Sequence, residues 1–262
     1  MNVCTRVSAV GVAIVATAMM IVACGSASAR SSLARAASVD YPSRFVFVDR
    51  PDATDLMECL GVTETLVVTV DADQNVMAVR REGQSNPAVI WTGDASFVDS
   101  SLLTAESGWI RIERDLAASL RADIEAAVGS SLAGYVFAER IAPDPVAVAR
   151  SALAVAGAFS GSESSSGDVT VSVEIDGSVG VLEGLHAGSI PDFRIRIVGG
   201  RIVAITARLP AAGDEEFGFV WEYDQTANVP AVEVPKEATG LSDVVGIVGP
   251  GGRGPDECGL GL

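Results

Sequence analysis

The chain has 262 residues, with 34 acidic against 18 basic side chains and a formal net charge of −16 at pH 7. So acidic a protein is repelled by phosphate backbones and anionic head groups, which argues against nucleic acid as a partner. Hydrophobic residues make up 48% of the chain and aromatics 5%, enough apolar material for one large domain built mainly from aliphatic side chains.

Arg6 supplies a positive start, and residues 7–22 form an apolar run shorter than the roughly 20 residues of a membrane-spanning helix. The run closes on Ile21-Val22-Ala23-Cys24, which reads as a lipobox: acylation on Cys24 and cleavage just before it. The alternative is an ordinary signal peptide cut after Ala29 in Ala27-Ser28-Ala29. On the lipobox reading, residues 1–23 are an address and the mature protein is anchored on the extracytoplasmic face of the cell membrane. Stable attachment takes about two acyl chains, which a diacylglyceryl group on Cys24 provides. Residues 24–40 are Gly/Ser/Ala-rich and read as a flexible tether. Residues 41–235 then form the domain, and residues 236–262 a Gly/Pro-rich tail.

Within the domain, Arg44 to Val48 reads as a strand broken by Pro51 and Asp52. Residues 65–70 and 76–81 form a hairpin around Asp71-Ala72-Asp73-Gln74-Asn75. Asp71, Asp73, Asn75 and Glu82 have the spacing of a calcium loop, but Val76 stands where its sharp bend needs glycine, so a solvated turn is the better reading. Residues 88–91 and 109–112 are further strands. Leu116, Leu120, Ile124 and Val128 then recur every four residues, predicting a helix capped by Asp115 and ended by Gly129. A second helix opens at Asp144-Pro145 and runs to Phe159, apolar nearly all round. Residues 161–168 read as a loop. Strands follow at 169–176, at 193–197 and 201–209 joined by Gly199-Gly200, and at 217–223. One-sided alternation of this kind predicts an antiparallel sheet with helices on one face.

Cys59 and Cys258 are the cysteines left besides Cys24 in the mature chain. Outside the cytoplasm such a pair predicts a disulfide stitching the tail to the domain, the alternative being two free thiols. No nucleophile elbow, metalloprotease motif, P-loop or dinucleotide fingerprint is present, and the one histidine, His186, stands in a Gly-rich loop. The sequence therefore predicts no catalytic step, no metal and no cofactor. The ladder Phe217, Phe219, Trp221, Tyr223 is either core packing or one wall of an apolar cavity. Opposite it, the second helix offers mostly small side chains, Val146, Ala149 and Leu153 among them. Unfilled volume costs about 24 cal/mol per Å³, so a large gap there would favour an occupant.

Taken in order, several stretches resemble the LppX/LprA/LprF/LprG lipoproteins of actinobacterial envelopes, relatives of the LolA-type carriers. They are the lipobox, Gly108-Trp109-Ile110-Arg111-Ile112 before the helices, Asp144-Pro145, the 193–208 hairpin, Tyr223-Asp224 and Val229-Pro230-Ala231-Val232-Glu233-Val234-Pro235. The resemblance implies an α+β fold, a curved antiparallel half-barrel sheet packed on two or more central helices. It also implies an apolar cavity for the acyl chains of a lipid or glycolipid, with envelope transport proteins as further partners. Val146, Ala149, Leu153, Phe217, Phe219 and Trp221 are the candidate cavity wall. The competing expectation is an acidic lipoprotein scaffold that binds envelope proteins through its surface and has a solid core.

Overall fold

The computed structural model describes residues 28–52, 63–104, 107–116, 118–139, 141, 144–154, 159–164, 166–174, 192–210, 216–224 and 228–244. They form an α+β fold around one large, curved, unclosed sheet of 12 strands. The strands are β1 (Arg44–Asp52), β2 (Leu66–Asp71), β3 (Val76–Arg81), β4 (Val89–Thr92), β5 (Ala95–Asp99) and β6 (Trp109–Glu113), then β7 (Phe159–Glu163), β8 (Val169–Glu174), β9 (Asp192–Val198), β10 (Arg201–Pro210), β11 (Glu216–Asp224) and β12 (Thr239–Gly240). Their spatial order is β12-β6-β5-β4-β3-β2-β1-β11-β10-β9-β8-β7, and β12–β6 alone among these pairings is parallel. The helices are α1 (residues 28–36), α2 (Ala118–Val128), α3 (Ser130–Val136) and α4 (Pro145–Ala154).

Local rules account for the elements that the sequence foretold. Gly199 and Gly200 take φ of 58° and 80°, closing the tight β9–β10 turn that glycine permits. Asp144 caps α4 by accepting the N–H groups of Val146 and Ala147 at 2.8 and 3.0 Å. Asp71 belongs to the turn: its buried carboxylate takes Arg44 Nε at 2.8 Å and the Gln74 N–H at 3.2 Å.

Other expectations are corrected. β1 does not stop before Pro51; it continues to Asp52, with Pro51 opposite Phe219 of β11. Its pairing with β2 has already ended at Asp49 opposite Leu66, so the missing proline N–H breaks no bond on that side. Gly129, at φ 88°, ends α2 as predicted, but α3 starts at once. The second predicted helix is described to Ala154, and Phe159, expected at its end, instead opens β7, which runs on to Glu163 into the stretch expected as a loop. β5 had no forecast. The tail does not begin at 236, because β12 pairs with β6 and Leu241 is buried in the core. Nor is the sheet bare on its convex side. Val76, Ile90 and Phe97 form a small cluster there, closed over by Val232 from the 228–235 segment.

The largest correction concerns residues 28–37 of the expected tether. Residues 28–36 are helical, and Ala29, Leu33, Ala36 and Ala37 are buried in the main core. Their i, i+4, i+7, i+8 spacing is one helix face. α1 packs on the β7–β8 end of the sheet, where a Cβ placed on Gly161 would lie 2.7 Å from the Ala29 Cβ. Gly161→Ala is therefore expected to destabilise by about 1–3 kcal/mol through overpacking, with Ala29→Gly added in a double mutant recovering part of the loss. Equal urea midpoints for Gly161→Ala and wild type would refute the contact.

The helices lie over one face. At the opposite end from α1, the sheet holds α3 by its C-terminal carbonyls: Ser96 Oγ donates to Val136 O at 2.6 Å and Trp91 Nε1 to Ala138 O at 2.6 Å. Arg114 also donates to Ala138 O while its guanidinium sits 4.9 Å from the Trp91 ring. Among the described residues no helix is long and apolar enough to cross a membrane.

Candidate functional site

The concave face is aliphatic and aromatic almost throughout. Cross-strand registers line up Val68, Phe47 and Tyr223 in one row and Leu66, Asp49, Trp221, Ile205, Ile195 and Val171 in the next. Nearly all of these are buried core residues; Asp49 is the exception in chemistry. The period of two in Phe45-x-Phe47-x-Asp49 puts its carboxylate on the apolar face.

Three elements converge on that group. Tyr135 of α3 donates its hydroxyl to Asp49 Oδ2 at 2.5 Å. Trp221 stands directly across the ladder on β11, and its side chain also acts to lower the Asp49 pKa. Oδ1 is buried and, among the described residues, accepts no hydrogen bond of ordinary geometry. The residue as a whole is half-buried, with Oδ1 among its enclosed atoms. Burial raises the Asp49 pKa from its ordinary 3.8 to about 6, against the opposing hydrogen bonds of Tyr135 and Trp221. A buried acceptor left open costs about 1–3 kcal/mol, more when charged.

The surroundings are phenolic. Tyr135 and Tyr223 are both held well above the ordinary tyrosine range, by burial first and then by neighbouring negative charge, so both stay neutral. The acids acting on Tyr223 are Asp144, exposed at the head of α4, and Asp49. Tyr41 also acts on Tyr223 and accepts the Ile202 N–H at 2.6 Å. Tyr135 and Tyr223 thus both face the Asp49 carboxyl, with Tyr41 next to Tyr223. The arrangement can accept a hydrogen bond or a proton at a single oxygen set in an apolar wall. Among the described residues, no three His, Cys, Asp or Glu come together as metal ligands would.

Of the candidate wall residues, Ala149 and Trp221 are buried in the main core cluster, with Leu153 and Phe219 packed against it. Phe219 stacks on Trp221 with ring centroids 5.9 Å apart and planes 5° from parallel. Val146 is half-buried in the first turn of α4. Phe217 lies in β11, but its side chain is outside the described residues, as are Cys24, Cys59, Cys258 and His186. Asp49, Tyr135 and Tyr41 had no place in the sequence reading. The available signal was the phase of β1: two phenylalanines on a face put the next odd residue there too, had Pro51 not argued for an earlier stop.

No protein-family model and no curated protein matches the chain. Among solved structures, the crystal structure of the Mycobacterium tuberculosis lipoprotein LppX is similar at 15% sequence identity and a TM-score of 0.42, covering 78% of this chain and 98% of that one.

Proposed function

We propose that this is a membrane-anchored, extracytoplasmic lipoprotein that binds or carries a lipid or glycolipid in the cell envelope, without a catalytic step. The observation that carries the reading is the broad, almost wholly apolar face that the curved sheet turns toward helices built mainly of small side chains. Burial of acyl chains there would supply affinity at about 25 cal/mol per Å². Val146, Ala149, Leu153, Phe217, Phe219 and Trp221 are the residues proposed to line the space. A Cys59–Cys258 disulfide would tie the chain's end to the domain.

Anchoring at Cys24 is supported by α1. Cleavage after Ala29 would cut inside this helix and remove a residue that is 2% exposed and seated against Gly161. Cleavage before Cys24 leaves the helix whole. Three residues then separate the acylated cysteine from α1, a reach of about 10 Å, so the domain would stand against the bilayer rather than on a long tether.

Two measurements test the proposal. In detergent phase partition of whole cells, Cys24→Ala is expected to move the protein from the membrane-lipid phase to the precursor or soluble pool; unchanged partition would reject the anchor. Recombinant Cys24→Ser protein lacking residues 1–23 is expected to release lipid on solvent extraction or to take up acyl probes in native mass spectrometry. If it does neither, the protein is better read as a scaffold for envelope proteins.

A further inference from the structure

We propose that the ligand's polar end carries a hydrogen-bond donor, a hydroxyl or an ammonium, which seats on Asp49 Oδ1. The inference rests on the lipid-binding reading and narrows its ligand class.

Four observations support it. Asp49 is enclosed on the concave face, in the same cross-strand row as Trp221, Leu66 and Ile205. Its Oδ2 is taken by the Tyr135 hydroxyl, while Oδ1 is buried and, among the described residues, accepts no hydrogen bond of ordinary geometry, the Trp221 side chain across the ladder acting on the carboxyl only loosely. Such an acceptor in an apolar surface invites a donor, because leaving it unmade is costly and apolar substitution would remove the cost altogether. Among the described residues, the groups acting on this carboxyl and its tyrosine neighbours supply no cation. Tyr135 and Tyr223 are neutral, Tyr41 accepts a backbone N–H, and the further charge acting on Tyr223 is the acid Asp144. A carboxylate or phosphate head placed at Oδ1 would therefore meet negative charge in a poorly screened site. An ester or ether oxygen would face an acceptor with an acceptor. A hydroxyl or ammonium alone satisfies the open oxygen, and the exposed position of Asp144 puts solvent near this end of α4.

The test uses four probes with the same twelve-carbon chain: dodecanol, dodecylamine, dodecyl methyl ether and laurate. Each competes with a fluorescent acyl probe on Cys24→Ser protein lacking residues 1–23. Wild-type side chains at 49 are expected to bind dodecanol or dodecylamine about tenfold tighter than the ether, and laurate weakest at pH 8. The stronger of the first two identifies the donor as hydroxyl or ammonium. In Asp49→Asn the amide oxygen can keep the Tyr135 bond while its NH₂ turns to the open side, so the order of dodecanol and ether is expected to level or invert. Asp49→Leu is expected to bind alcohol and ether equally. Equal binding of alcohol, amine and ether by the wild type, or a donor preference that survives in both variants, would overturn the inference while leaving lipid binding intact. Binding of none of the four would overturn the lipid reading itself, and this inference with it.

Discussion

Raising the pH from 4 to 7 is expected to cost the wild-type protein about 3 kcal/mol of stability that Asp49→Asn does not lose. The sign follows from the direction of the shift. Asp49 titrates at about 6 in the fold against an ordinary 3.8, because the folded state disfavours the ionised carboxylate. Well below pH 3.8 the group is protonated in both states and contributes nothing. Between 4 and 6 the unfolded chain releases the proton first, so stability falls as pH rises, and above 6 the full penalty is present. Other carboxylates titrate in the same range, so the diagnostic quantity is the difference between wild type and Asp49→Asn, not either curve alone. Chemical denaturation at pH 4, 5, 6, 7 and 8 measures it. The variant is expected to match the wild type near pH 4 and exceed it at pH 8, by 3 kcal/mol less whatever its amide loses by burial. Parallel curves would mean that the carboxyl is solvated and the site open. A protein that keeps an ionised acid in an apolar wall at this expense is carrying a group its fold does not need, which fits a binding role.

Leu33→Ala in α1 is expected to destabilise by about 3 kcal/mol, within the range for buried leucines cut to a methyl. Leu33 is fully enclosed, at 0% exposure, and is the one large apolar side chain on the buried face of this helix. Around it stand Ala29, Ala36 and Ala37, too small to close the hole left behind. The measurement is the denaturant midpoint of Cys24→Ser protein lacking residues 1–23, with Ser31→Ala on the exposed side of α1 as a control. A midpoint unmoved by Leu33→Ala would return residues 28–37 to the status of a tether. It would also reopen cleavage after Ala29, since the argument against that site is the burial of α1.

How much of this was legible in the chain depends on how local each cause is. Asp144 before Pro145 caps α4 through its own next residues, and the Gly199-Gly200 turn is settled by two backbone conformations; both read directly from sequence. The same holds for the strict alternation of β8 and β9. Pro51 misled because its effect depends on which neighbour the strand still has at that point, and β2 has already left. α1 misled because alanine is the commonest filler of both tethers and helices, and its apolar stripe contains a single leucine. Phe219, Trp221 and Tyr223 of the aromatic ladder share a face as their alternation predicts, but the sequence did not show what stood across from them.

What the sequence by itself determined is the address at Cys24 as an expectation, the acidic character, the antiparallel strands and the principal helices. Each follows from residue type and spacing within a dozen positions. Only the tertiary structure decided that β1 lies between β2 and β11, bringing Arg50 to Glu222 across 172 residues of chain, and that Asp49 is thereby set beside Trp221 and under Tyr135. The reason is physical: an aspartate is ordinary on any solvated strand, and its pKa and open oxygen become unusual when strands distant in sequence remove the water around it.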